Sequence, residues 1–270
     1  MSSGAADFLR GLRGEKIISP TAEDTARLLA ARLADHLRQR LAVGPAAHLA
    51  LSGGSSTTLL ASALTAVSSL AALDWSRIHV WMVDERCVPA DDRRLNANLV
   101  RSLAARVPLP LTNVHPMPVQ EADGAARYEA ELRAALAARP DGDDWRLDAV
   151  VLGMGSDGHT ASLFPGSPAL DEHERLIVLN DGDSVAPPRP RMTMTYPLLN
   201  RARFIALLVT GASKRSALER ASASPLDFHA LPVTGIVPAP DSSLLWCLDQ
   251  DAASAHPATA GDTNTTSMSD

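Results

Sequence analysis

The chain has only two cysteines in 270 residues, Cys87 and Cys247, far apart and outside any CxxC spacing. That leaves no basis for a disulfide framework or a structural zinc site. The eight histidines are scattered, with neither an HExxH run nor a pair at i, i+4, so the sequence offers no catalytic metal. GxSxG is absent, which removes the nucleophile elbow of serine hydrolases. No run of Lys or Arg could track a phosphate backbone, and the net charge is −6, so nucleic-acid binding has no electrostatic footprint. A few local cations could still meet a small anionic substrate. No window of about 18 apolar residues occurs, and the start "MSSGAADFLRGLRGEK" has no apolar core of signal-peptide length. The expected location is therefore the reducing cytoplasm, with no membrane association. Aromatic residues are sparse at 4%, yet 46% of the chain is apolar, with alanine and leucine dominant. That composition describes a packed core rather than a disordered chain.

The pattern of elements alternates. "TAEDTARLLAARLADHLRQRL" opens on a Thr cap candidate and repeats leucine at three- and four-residue steps, which predicts a helix over Thr21 to Leu41. "AAHLALSGG", "IHVWMVDER", "LDAVVLGMG", "RLIVLN", "ARFIALLVTG" and "SSLLWCLD" read as strands. "SSTTLLASALTAV", "RRLNANLVRSLAARV", "AARYEAELRAALAA" and "SKRSALERASA" read as helices between them. Strand, glycine-rich turn and helix in repetition predict crossover connections: an α/β fold, a three-layer α/β/α sandwich with a mostly parallel, Rossmann-like sheet. The expected organisation is a flexible N-terminus at 1–15, a single domain at 16–250 and a disordered tail at 251–270, the last being small, polar and aperiodic.

In such sheets ligands bind beyond the carboxyl ends of the strands. Four predicted strand ends carry unusual residues: Ser52 to Thr57, Asp84 to Pro89, Gly153 to His159 and Thr210 to Lys214. Gly153, Gly155 and Gly158 form a literal GxGxxG. A dinucleotide fingerprint needs a helix that begins at those glycines, whereas here Asp157 would face the pyrophosphate and Pro165 shortens any helix beyond it. The other reading takes the glycines as backbone freedom that lets Asp157 and His159 stand together. A neutral imidazole can take a proton from water near neutral pH, and a carboxylate two residues away can orient the ring. A capping turn with an exposed histidine is the plainer alternative.

The other strand ends are open in the same way. "LSGGSSTT" places Gly53, Gly54 and Ser55 where amides and hydroxyls could bind a phosphomonoester, or where a serine simply caps a helix. Arg86 in "VDERCVP" could hold phosphate in fork geometry or close a salt bridge at a strand end. Asp84 and Glu85 point to opposite faces of a continuing strand and so do not read as an acid/base pair. Arg191, Thr193 and Thr195 alternate in "RMTMT", as on an extended segment. Lys214 sits at a helix start, against the helix dipole, as beside an anion or as an ordinary surface lysine.

Together, "LSGGSSTTLL", "VDERCVPADDRRLNANLVR", "LGMGSDGHTASLFPGSPAL", "PPRPRMTMTYPLLNRA" and "LLVTGASKRSAL" resemble the bacterial-type 6-phosphogluconolactonases, in family order over residues 20 to 250. The glucosamine-6-phosphate deaminases share the glycine turn, the DE pair and the GxDGH loop. Their loop carries a glutamate five residues after the histidine, where this chain has Phe164. Thr57 stands where proline is frequent in the family. The resemblance implies a sugar-phosphate isomerase/deaminase-like fold, a phosphosugar lactone as substrate, no cofactor, and a monomer or small homo-oligomer. It implies His159 as general base and Asp157 as its orienter. Arg86, Arg191, Lys214 and the Gly53–Ser55 turn would grip phosphate and ring hydroxyls, and Asp84 would orient Arg86 or that turn. A deaminase-like aldose–ketose isomerase and a non-enzymatic sugar-phosphate binder are the other readings; no helix-turn-helix accompanies the motifs.

Overall fold

The computed structural model describes residues 8–66, 73–138, 145–182, 185–223 and 227–254. Helix α1 (Ala22–Val43) begins where the sequence predicts: the Thr21 side chain accepts the Asp24 N–H at 3.1 Å, and Glu23 and Asp24 place negative charge in the first turn. Its leucines at 29, 33, 37 and 41 form one buried stripe on the sheet, and burying each leucine contributes roughly 1.5–3 kcal/mol.

Ten strands occur among the described residues: β1 (Glu15–Ser19), β2 (Ala47–Leu51), β3 (Ile78–Met82), β4 (Asp84–Arg86), β5 (Val114–His115), β6 (Ala149–Leu152), β7 (Ile177–Asn180), β8 (Arg191–Met194), β9 (Phe204–Val209) and β10 (Ser243–Asp249). Seven form a parallel sheet in the order β1-β10-β9-β6-β2-β3-β5. Strands β2, β6 and β9 are buried at every residue, as apolar runs covered on both faces must be. The helices that flank them are α1, α2 (Ser55–Ala66), α3 (Ala97–Ala104), α4 (Gly124–Ala137), α5 (Tyr196–Leu199), α6 (Arg215–Ser222) and α7 (Gln250–Ala253). From β2 the chain proceeds outward to β3 and β5, and from β6 outward the other way to β9 and β10. The order reverses between β2 and β6, so their carboxyl ends open a crevice, the place where such sheets take ligands.

Several expectations need correction. "IHVWMVDER" is not one strand. At Val83 the chain leaves the large sheet, with the Val83 N–H still donating to Leu51 and its carbonyl already accepting from Met194. Asp84–Arg86 then pairs in a second, antiparallel sheet ordered β4-β8-β7, where "RLIVLN" also lies. Helix α3 begins only at Ala97, because Asp92 accepts the Arg94 N–H and holds the preceding residues in a turn. Strand β1 escaped sequence reading, since "EKIIS" is too short and half-polar for a clear period. From residue 8 the chain packs on the domain: Leu9 and Leu12 enter the core, and the Trp246 indole donates to the Arg13 carbonyl at 2.9 Å. Residues 1–7 lie outside the described residues. At the other end Ala252 and Ala253 of α7 are buried, while 255–270 lie outside the described residues. One cluster of buried residues runs from Leu9 to Ala253, so the described chain has a single core.

Leu33 is fully buried at the centre of the α1 stripe. Its replacement by alanine is expected to lower unfolding free energy by about 2–5 kcal/mol in urea titration, and a loss below about 1 kcal/mol would contradict this packing.

Candidate active site

After β6 the backbone does not enter a helix; the next helical turn is the short 3-10 segment Pro168–Asp171. The glycines of GxGxxG therefore present no helix N-terminus to a pyrophosphate. They do something else. The Gly155 N–H donates to the His159 carbonyl at 2.8 Å and the Gly158 N–H to the Gly155 carbonyl at 3.1 Å, closing a tight loop. Gly158 takes φ +88°, a left-handed conformation that glycine adopts at no steric cost. A Cβ on Gly155 would lie 2.1 Å from His159 Nδ1 and 2.4 Å from Asp157 Oδ1. Only glycine leaves room for that pair.

Within the loop, His159 Nδ1 lies 2.6 Å from Asp157 Oδ1, which also accepts the His159 N–H at 3.1 Å. Partial burial pushes the Asp157 carboxyl up, but the imidazole hydrogen bond, the imidazole charge and backbone N–H groups outweigh it and hold it at about 2. An ionised carboxylate only accepts, so Nδ1 carries the proton and Nε2 is the basic nitrogen. Nε2 has no partner among the described residues. The Phe164 ring packs against the imidazole at 4.5 Å between centroids, and the Arg191 guanidinium lies over Phe164 at 5.9 Å.

His159 lines a cleft of about 250 Å³ at the reversal point. Opposite it, β2 ends in Ser52, Gly53 and Gly54, with Gly54 at φ +103°, before Ser55 opens α2. The side chain of Ser55 is outside the described part of the chain. Asp84 and Arg86 enter from β4, Arg191 from β8 and Lys214 from the turn after β9. The structure thus brings Gly53, Gly54, Asp84, Arg86, His159, Arg191 and Lys214 to one cleft, with Asp157 behind the imidazole.

Neutral carbonyls hold the two arginines. Carbonyls of Ala186, Pro187 and Pro188 accept from the Arg191 guanidinium, and the Arg94 carbonyl accepts from Arg86 at 2.7 Å. Among the described residues neither arginine has a carboxylate within salt-bridge distance. Burial, with the Arg86 charge beside it, lowers the Arg191 pKa; burial lowers that of Lys214, opposed by the Asp157 charge. Three positive groups thus converge on the cleft, with the Asp84 carboxylate on the same lining. Lys214 and Lys16 are the chain's two lysines, and one of them stands here.

No hydrogen bond or ion pair joins Asp84 directly to Arg86 among the described residues. Its carboxylate accepts the Ser162 hydroxyl at 2.7 Å, and the link to Arg86 runs through Asn96. Glu85 points away, buried under the start of α3, where its oxygens accept the Asn96 and Ala97 N–H groups at 2.8 Å. Ser52, Asn96 and Ser162 lie inside the motifs that sequence reading singled out, but it gave none of them a role of its own. Their contacts join separate motifs, and only the fold brings them together.

The family described as "Glucosamine-6-phosphate isomerases/6-phosphogluconolactonase" matches residues 20–246. The chain belongs to this family. A Synechocystis sp. protein named 6-phosphogluconolactonase is 41% identical over 208 residues, covering 76% of this chain and 82% of that protein. The Homo sapiens "GDH/6PGL endoplasmic bifunctional protein" is 40% identical over 214 residues, and the chain spans about a quarter of its length (26%). A solved structure titled "6-phosphogluconolactonase from Trypanosoma cruzi" aligns with TM-score 0.75 and 25% identity over 90% of this chain and 96% of that one. The sandwich with its mostly parallel sheet is the fold of these relatives. No helix of the described residues is long and apolar enough to cross a membrane.

A carboxylate whose pKa is depressed from 3.8 to about 2 stabilises the fold above its unfolded value and loses that contribution as pH falls toward 2. Carbon-13 NMR of His159→Ala is expected to find the Asp157 carboxyl back in or above the ordinary carboxylate range, since burial remains and the partner is gone. An unchanged value would mean that backbone amides alone hold it.

Proposed function

We propose that this protein hydrolyses 6-phospho-D-glucono-1,5-lactone to 6-phospho-D-gluconate, the second step of the oxidative pentose phosphate pathway. The observation that carries the reading is the Asp157–His159 pair, with Nε2 as its basic nitrogen, on a cleft ringed by Arg86, Arg191 and Lys214. His159 Nε2 takes a proton as water attacks the lactone carbonyl carbon. The tetrahedral oxyanion collapses, the bond from that carbon to the ring oxygen breaks, and the imidazolium returns its proton to the departing hydroxyl. Asp157 holds the ring in the productive tautomer and compensates the charge it gains. The arginines, the lysine and the Gly53–Ser55 turn grip the phosphate and ring hydroxyls, so binding far from the breaking bond positions the carbonyl. The relatives named 6-phosphogluconolactonase support the lactone substrate. The two cysteines are free, in keeping with a reducing cytoplasmic location.

Phe164 argues against the sibling reaction. Sugar ring opening and isomerisation by a deaminase use a carboxylate at that position, and here an apolar ring packs on the imidazole instead.

His159→Ala is expected to lower kcat about 10²- to 10⁴-fold, measured as lactone loss above the spontaneous rate. Near-full hydrolysis by the variant would overturn the assignment of the base. Incubation with glucosamine 6-phosphate is expected to release no ammonia, and a steady release would favour the deaminase reading.

A further inference from the structure

We infer that Asn96 is the positioning residue that sets Arg86 and the Gly53 turn at a fixed separation across the cleft. The inference rests on the reading that Arg86 grips the substrate.

Asn96 is 5% exposed and stands immediately before α3. Its backbone is fixed by Glu85, a carboxylate 1% exposed: Oε1 accepts both the Asn96 and Arg86 N–H groups at 2.8 Å, and Oε2 accepts the Ala97 N–H at 2.8 Å. One buried side chain thus ties the start of α3 to the backbone of Arg86. The Asn96 carboxamide then makes three contacts in different directions. Nδ2 donates to the Asp84 carbonyl at 2.8 Å and, more distantly, to the Asp84 carboxylate at 3.4 Å. Oδ1 accepts from Arg86 Nη1. The orientation of the amide is set by its partners, because a carbonyl can only accept and a guanidinium can only donate. The third contact is steric: a Cβ on Gly53 would lie 1.8 Å from Oδ1 and 2.2 Å from Cγ.

These contacts make the carboxamide a spacer with one face on the glycine turn and one edge on the guanidinium. The planar amide offers a donor and an acceptor at once. Aspartate is the same size but brings an acceptor to the Asp84 carbonyl and a charge to Arg86; alanine brings neither contact. The network reaches further, since the Ser162 hydroxyl donates to Asp84 from the segment just after His159. Arg86, held at Nη1 by Asn96 and the Arg94 carbonyl, keeps a buried Nε without a partner among the described residues. A small displacement of such a group has large kinetic consequences, because positioning is most of what it supplies.

The test is a double-mutant cycle on hydrolysis of the phosphorylated lactone, with Arg86→Ala, Asn96→Ala and the pair together. Asn96→Ala is expected to lower kcat/KM ~10- to 100-fold and to divide that loss between kcat and KM as Arg86→Ala does. In the Arg86→Ala background the second substitution should cost less than about 2-fold, because the group it positions is gone. Asn96→Asp, nearly isosteric, is expected to keep the wild-type melting temperature within a few degrees and still lose activity, which covers the case in which the alanine variant does not fold. Full activity of Asn96→Asp or Asn96→Ala, or a loss that multiplies undiminished in the Arg86→Ala background, would overturn the role of Asn96 while leaving Arg86 on the substrate. An Arg86→Ala enzyme with wild-type kcat/KM would instead overturn the reading of Arg86, and this inference with it.

Discussion

The Ser52 N–H donates to the Val151 carbonyl at 3.0 Å, one residue past the last paired positions of β2 and β6, Leu51 and Val151. Beyond that bond the two central strands part, one toward α2 and the other into the glycine loop. The parting is forced by topology, because successive connections leave these strands in opposite directions across the sheet. It opens a crevice whose walls are the ends of two fully buried strands. A site placed there inherits a rigid floor, and its side chains need little further ordering to be preorganised.

On that floor the two walls have different chemistry. The β6 wall is a tight loop in which glycine makes room for a carboxylate and an imidazole to face each other. The β2 and β4 wall is a hydrogen-bonded frame of Asn96, Asp84 and Glu85 that carries Arg86 and abuts the Gly53 turn. Arg191 spans the two, held by proline-segment carbonyls and lying over the ring that packs on His159. Neutral carbonyls orient the arginines, and no carboxylate among the described residues forms an ion pair with either.

How much of this was legible in the sequence depends on the range of the interactions. Helix α1 was readable because its cap, its acidic first turn and its leucine step all lie within twenty-odd residues. The parallel sheet was readable from apolar runs that end in glycine. The second sheet was not, because its pairing of Asp84 with Thr193 and of Arg86 with Arg191 joins segments about a hundred residues apart, and "VDER" continues an apolar strand without a break. The four strand ends could be gathered to one site by a topological rule, and the structure does gather them. Asn96 could not be found that way: it lies in a helical pattern, and its meaning depends on Gly53 and Arg86 approaching from separate elements. The GxGxxG reading was decided by the segment after it, since the glycines needed a helix to bind a dinucleotide and instead lead into a loop that holds Asp157 and His159.

The most direct test of the account is a crystal structure with bound 6-phosphogluconate. The account predicts the phosphate between the Gly53 turn and the cluster of Arg86, Arg191 and Lys214, with a carboxylate oxygen within hydrogen-bonding reach of His159 Nε2. A phosphate seated against His159, with the carboxylate end among the cations and away from the imidazole, would contradict it.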